Sequence, residues 1–314
     1  MNFQHEPVLL QEVLQWINTR PDGVYCDGTL GGGGHSEAIL EASGGTAVLY
    51  GIDRDETAIA AASERLKKYP GFHALRGNFH DGKGLLREAG AGLLDGVLLD
   101  LGVSSPQLDT PERGFSYHAD APLDMRMDRS RGMTAAEFLN TADEREIARV
   151  IREYGEEKWA ARIAKIICEH RQEKPLETTF DLVDAVDAAI PKAVRRKDDG
   201  HPARRTFQAI RIVVNDELAP LEQALKDFTD CLKPGGRICV ITFHSLEDRI
   251  VKNCFRSLEH PCICPPKAPI CTCGRKPSVK VLAGGAVAPT AEETEWNPRA
   301  RSAKLRVAEK SGED

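Results

Sequence analysis

The sequence predicts a doubly wound α/β sheet interrupted by an all-helical insertion. Short apolar runs at Val24–Asp27, Ala47–Asp53 and Leu93–Asp100 each end in a carboxylate and lead into a loop. That strand-and-helix alternation stops between Thr110 and Arg205, where only helical periodicities occur. It resumes with an apolar helical pattern from Phe207 to Phe228 and a strand at Arg237–Phe243. A sheet domain split in sequence, residues 1–109 with 206–314, around a helical domain at 110–205 explains the break.

The 314 residues suffice for two domains of ordinary size, and 41% hydrophobic with 29% charged residues describes a soluble globular chain. No apolar run approaches the ~18 residues of a membrane span, and Met1–Glu6 lacks a basic-then-apolar signal. Nine cysteines without such a signal point to reduced thiols or metal ligands and a cytoplasmic location. A net charge of −6 argues against a general nucleic-acid binder. Its distribution is uneven, however. Lys192, Arg195, Arg196, Lys197, Arg204, Arg205 and Arg211 crowd one segment, and Arg299, Arg301, Lys304, Arg306 and Lys310 crowd the tail. Such clusters suit local phosphate contacts or simply solvated charged faces.

In chain order, Val8, Leu9, Val13, Leu14 and Ile17 give an opening amphipathic helix over His5–Ile17. The first strand enters Asp27-Gly28-Thr29-Leu30 and the run Gly31–Gly34, with a helix beginning near Ser36. Glycines admit positive φ and close approach of a ligand, and the helix start offers unpaired N–H groups. Asp53, about twenty residues on, is placed to accept hydrogen bonds from a ribose. The dinucleotide pattern G-x-G-x-x-G is absent because Ser36 falls where its last glycine belongs, which counts against NAD or FAD. Asp27 would oppose a pyrophosphate and suits the cationic methionine end of S-adenosylmethionine. Glu56–Lys68 reads as a helix and Phe72–Arg76 as a third strand, closed by Gly77–His80, where Phe79 fits either an adenine stack or the core.

Asp100 through Asp109 follows the fourth strand with a carboxylate, two serines and Gln107, a reaction-site loop by position. In the insertion, Thr134–Glu137 and Thr141–Glu144 read as capping boxes. Helical faces follow at Ile147, Val150, Ile151, Tyr154, then Trp159, Ile163, Ile166, Ile167, then Leu182, Val183, Val186, Ile190. The strand at 237–243 runs into His244 and Glu247. Cys262, Cys264, Cys271 and Cys273 fit either a zinc site, with tighter pairs than C-x₂-C, or thiols on a surface loop.

With these residues in view, the chain resembles one family closely: bacterial small-subunit rRNA cytosine-N4 methyltransferases of the MraW type. The matching stretches are His5–Leu9, Asp27–Thr29, Gly33–Ser36, Asp53, Asp100–Asp109, Arg113–Ser116 and Pro122–Met127. They continue at Tyr154–Glu157, His201–Ala203, Arg205–Arg211, Phe243–Arg249 and Asn297–Ser302. The resemblance implies a Rossmann-like S-adenosylmethionine-dependent methyltransferase core with an inserted all-helical substrate-recognition domain. Its implied activity is methyl transfer to N4 of a P-site cytidine at position 1402 of 16S rRNA in the 30S subunit. No metal, beyond the zinc option at the cysteines, and no membrane are expected, and a homodimer is left open. Gly33, Gly34, His35, Asp53, Phe79, Asp100 and Gln107 correspond to the family's cofactor contacts. The Asp/Asn-Pro-Pro-aromatic loop of many amino-methyltransferases is missing, so Asp100, Ser104 and His244 are catalytic candidates from the chemistry of the amine. Phe115, or Tyr117, is expected to stack on an unstacked cytosine, with Arg205 and Arg211 on phosphates. A DNA amino-methyltransferase, an oxidoreductase and a non-enzymatic ribosome-assembly protein are the rival readings.

Overall fold

The structure, a computed structural model, describes residues 7–195, 200–265, 270 and 272–312. His5, Glu6, Arg196, Lys197 and Cys271 therefore lie outside the described residues. The chain forms two units, residues 1–102 with 218–314 and residues 103–217.

The first unit opens with α1 (Leu10–Ile17), β1 (Val24–Asp27), α2 (Gly34–Ala42), β2 (Val48–Asp53), α3 (Glu56–Leu66), β3 (Phe72–Arg76), α4 (Gly82–Glu88) and β4 (Leu94–Asp100). The second holds α5 (Ser105–Asp109), α6 (Ala135–Thr141), α7 (Glu144–Gly155), α8 (Ala160–Glu173), α9 (Thr179–Ala189), α10 (Lys192–Arg195) and α11 (Arg204–Asn215). The chain then returns to the first unit with α12 (Leu221–Cys231), β5 (Leu232–Thr242), α13 (Ser245–Glu259), β6 (Val279–Val287), α14 (Ala291–Trp296) and β7 (Lys304–Lys310).

The seven strands lie in the order β3-β2-β1-β4-β5-β7-β6. All neighbours pair parallel except β7, which is antiparallel to both β5 and β6. The strand order reverses between β1 and β4, and in open sheets ligands bind outside the carboxyl ends at such a point. Successive side chains of a strand face opposite layers, and the core obeys this. Leu98, Cys239 and Ile241 pack with Val13, Ile39 and Leu66 on one face. Val97, Leu99, Ile238 and Val240 pack with Leu86, Phe228 and Phe255 on the other.

The second unit has its own core. Ile147, Val150 and Ile151 of α7 pack there with Ile163 and Ile167 of α8 and with Leu182 and Val186 of α9. Each helix thus buries the apolar stripe that its sequence spacing marks out. Among the described residues of this unit the only strand-like pairing is an isolated bridge between Pro122 and Thr178.

Several local expectations change. The single helical pattern from Phe207 to Phe228 is two helices, because Asp216 takes a left-handed φ of 48° and Pro220 restarts the chain as the N-cap of α12. The cap of α7 is Asp143, which accepts from the Glu146 N–H, whereas Thr141 donates its hydroxyl to the Glu137 carbonyl inside α6. The box at Thr134 and Glu137 forms as read. β5 starts at Leu232 rather than after Gly236, with a register shift opposite Leu94 and Gly96 absorbing the glycines. The tail adds two strands that the residue pattern did not announce.

Candidate active site

The site residues of the first unit collect at the carboxyl ends of β1, β2 and β4. Asp27 is almost fully buried. Its carboxylate accepts from the Ser36 hydroxyl at 2.7 Å and from the Thr29 N–H at 3.1 Å. Ser36, where a dinucleotide-binding turn would carry glycine, thus anchors the leading acid of the loop. Burial, opposed by those hydrogen bonds, lifts the Asp27 carboxyl to about 6, and the Asp53 charge adds to the rise.

Asp53 accepts from the Gly31 N–H at 2.8 Å and the Asp55 N–H at 2.9 Å, one on each oxygen. Each carboxylate oxygen keeps a further lone pair. Burial also raises this group. Gly33 needs its glycine. It sits at φ +77°, and a Cβ there would lie 3.2 Å from Ala62 and Leu66. A Cβ on Gly34 would strike Pro7 at 2.7 Å, so the start of α2 is packed against the segment that precedes α1.

Asp100 ends β4. Its backbone N–H donates to Thr29 Oγ1 at 2.6 Å, joining the glycine turn to the fourth strand. One carboxylate oxygen lies 3.7 Å from His35 Nδ1. The other, Oδ1, is buried with no hydrogen-bond partner among the described residues. Burial first, then the charges of Asp27 and Glu247, push this carboxyl to about 8. The His35 ring is fixed from its far side, Nε2 lying 2.9 Å from the Val8 carbonyl. Gly102, two residues after Asp100, takes φ +104° and so turns the chain out of the sheet.

Phe79 opens a 3₁₀ turn, Phe79–Asp81, whose cap is Asn78 accepting from the His80 N–H. The ring is partly buried beside β3 and meets His80 edge-on at 4.3 Å. His80 Nε2 is buried without a partner among the described residues, and burial holds the imidazole neutral, at about 4. His244 follows β5 as the N-cap of α13, with Nε2 3.0 Å from Glu247 Oε1. Glu247 also accepts the Phe243 N–H at 2.9 Å. The imidazole thus lies beside a buried carboxylate of its own helix, yet neither ring nitrogen makes a hydrogen bond among the described residues.

In the second unit, Ser104 caps α5, and its N–H donates to Gln107 Oε1 at 3.1 Å. Phe115 does not offer its ring to a base. It is 6% exposed and belongs to the helical core. Tyr117 is partly exposed and stacks on His201 with centroids 4.6 Å apart. Arg211 is committed to Glu217 through two hydrogen bonds, at 2.9 and 2.8 Å, with both side chains mostly buried. Arg205 keeps 37% of its side chain exposed, 3.8 Å from the buried Glu157. The tail cluster is similarly divided. Arg306 makes a bidentate pair with Asp248, while Arg299 and Arg301 are exposed.

Residue reasoning missed Thr29, Ser36 and His80 as members of this arrangement. Thr29 and Ser36 had a signal, a hydroxyl two residues past an acid and another at the helix start. Glu247, placed with His244 at the strand end by sequence, stands three residues after it, the spacing of a capping box.

Comparison with known proteins covers the whole chain. Over 311 residues it is 54% identical to the ribosomal RNA small subunit methyltransferase H of Trichlorobacter lovleyi, spanning 99% of each. Over 312 residues it is 53% identical to the protein of that name from Heliobacterium mobile, spanning 99% of this chain and 100% of that one. A solved rRNA methylase from Streptococcus thermophilus aligns over 97% of this chain and 93% of its own, with 10% identity and a TM-score of 0.40. The MraW methylase family model matches residues 2–311, through the glycine turn, the inserted helices and the last strand alike, and the chain belongs to that family.

Proposed function

We propose that this chain uses S-adenosyl-L-methionine to methylate the exocyclic N4 amine of a P-site cytidine in 16S ribosomal RNA. The observation that carries the cofactor is the crowd of carboxylates at adjacent strand ends, Asp27 buried and Asp53 and Asp100 partly buried. Each is raised by burial, and Asp27 and Asp100 are raised further by a neighbouring carboxylate, so the cluster gains from a cation and loses from an anion. An ammonium and a sulfonium suit it, and a pyrophosphate does not. The ribosomal substrate is supported by the end-to-end similarity to proteins named ribosomal RNA small subunit methyltransferase H.

The residues present fit the cofactor. Asp53 has lone pairs left for ribose hydroxyls, Phe79 offers an aromatic edge at the end of β3, and Gly33, Gly34 and His35 form the wall at the start of α2. Asp27 serves the charged amino-acid end. When bound, S-adenosylmethionine supplies a methyl group on a sulfonium, a good leaving group. The cytosine N4 lone pair is delocalised into the ring. Asp100 Oδ1 therefore accepts an amine hydrogen and favours a tetrahedral nitrogen, in line with the sulfonium. His244, with both ring nitrogens buried and making no hydrogen bond among the described residues, takes the proton that the methylated amine releases.

The helical unit is the substrate-recognition domain in this reading. Tyr117, not Phe115, is the aromatic that stacks on the extruded base, and Arg205 contacts phosphate while Arg211 positions its helix through Glu217. The deciding experiment is methyl transfer from labelled S-adenosylmethionine to undermethylated small subunits, with the product nucleoside identified by mass spectrometry. N4-methylcytidine at one P-site position is expected. Cofactor binding without transfer to the subunit would sink the substrate assignment and favour a DNA substrate or an assembly role.

A further inference from the structure

We propose that Cys262, Cys264 and Cys273 form a thiolate site for a zinc ion in the connection between α13 and β6. The Sγ atoms of these three residues all lie within 4.8 Å of one another. Those of Cys262 and Cys273 are 3.8 Å apart. A disulfide would bring them to about 2.0 Å. Two sulfurs each about 2.3 Å from one tetrahedral zinc stand roughly 3.8 Å apart, which is the spacing found. The Thr272 N–H donates to Cys264 Sγ at 3.3 Å, a contact that favours the thiolate over the thiol. Three thiolates leave one corner of the tetrahedron for water or a further ligand. Cys271 lies outside the described residues.

The position in the fold gives such a site work to do. No helix or strand lies between Glu259 and Val279 among the described residues, and connections longer than about 12–15 residues without secondary structure are uncommon unless they serve a function. This one has little apolar core to hold it. Ile263 and Ile270 are 66% and 75% exposed. A metal that joins Cys262 and Cys264 to Cys273 closes a short loop at small entropic cost and fixes its ends on α13 and β6. Binding converts thiols to thiolates and releases their protons to solvent, and the metal undergoes no redox change.

The test uses the full chain, reduced and reconstituted with zinc, then freed of loose metal. Metal analysis is expected to find one zinc per chain. Cobalt substitution should give the intense visible spectrum of a tetrahedral thiolate site. Cys262→Ser and Cys273→Ser should lose both signals, while Cys168→Ser keeps them. Should the serine variants fail to fold, alkylation of the wild-type chain answers the same question. The loop cysteines should resist the reagent with zinc and react after chelation. Substoichiometric zinc in the folded reduced chain, equal alkylation with and without chelator, or undiminished zinc in folded Cys262→Ser would each overturn the site.

Discussion

Asp100 combines two properties that a single residue seldom holds: a buried oxygen with no partner among the described residues and a carboxyl pushed to about 8 by burial, Asp27 and Glu247. Its ordinary value is 3.8. The folded state therefore binds a proton more tightly than the unfolded chain. Stability from this group is fully present below about pH 4 and is lost as the pH rises through about 8. Asp27, raised to about 6, adds to the loss in the lower part of that window. Asp100→Asn removes the penalty. Its melting temperature should match wild type near pH 4 and exceed it at pH 8, and parallel curves would show that Asp100 titrates normally. The same variant should lower turnover by about 100-fold, with cofactor affinity measured separately by calorimetry. At this scale the sequence was legible where chemistry is local. Asp27, Asp53 and Asp100 end apolar runs, and strand ends are where open sheets bind ligands. Phe115 was not legible, because an aromatic in a turn-rich stretch carries no mark of which side of the chain it faces.

Among the elements, the turn into α2 is the most constrained. Gly33 holds φ +77° with Ala62 and Leu66 3.2 Å from where a Cβ would sit. A left-handed conformation costs a residue with a Cβ about 1–2 kcal/mol. Gly33→Ala should lose about that much in urea unfolding and should weaken cofactor binding, since the turn and the start of α2 must move together. Unchanged stability and affinity would mean that the turn relaxes freely. The tail offers a second case. Arg306 of β7 reaches Asp248 of α13 with a bidentate pair at 2.7 and 3.1 Å, both side chains mostly buried. Arg306→Met should cost about 2 kcal/mol in denaturant unfolding, and Asp248→Asn should cost less in the Met background than alone. The parallel strands were legible as apolar runs separated by helices. β6 was hidden by Gly284 and Gly285, which sit in its register shift, and β7 by alternating charge that reads equally well as a solvated tail. The split between α11 and α12 was hidden because apolar residues keep helical spacing straight across Asp216 and Pro220.

For the molecule as a whole, the net charge of −6 constrains the proposed encounter with RNA. Long-range attraction to a polyanion is absent, so affinity has to come from local cations and stacking. Of the basic residues singled out by sequence, Arg211 and Arg306 are spent on Glu217 and Asp248, whereas Arg205 keeps over a third of its side chain exposed. Each phosphate neutralised on single-stranded RNA contributes about 0.7 to the slope of log affinity against log salt. Arg205→Ala should therefore weaken binding to undermethylated small subunits and flatten that slope by about 0.7, a change read by filter binding across a salt series. Lost affinity at an unchanged slope would instead assign Arg205 to its buried neighbour Glu157, as a positioning residue of the helical unit. Tyr117→Ala is the complementary measurement, because stacking carries no counterions. It should cost about 1–3 kcal/mol of affinity and leave the slope as it was, so the two variants together separate the charged from the aromatic share of recognition.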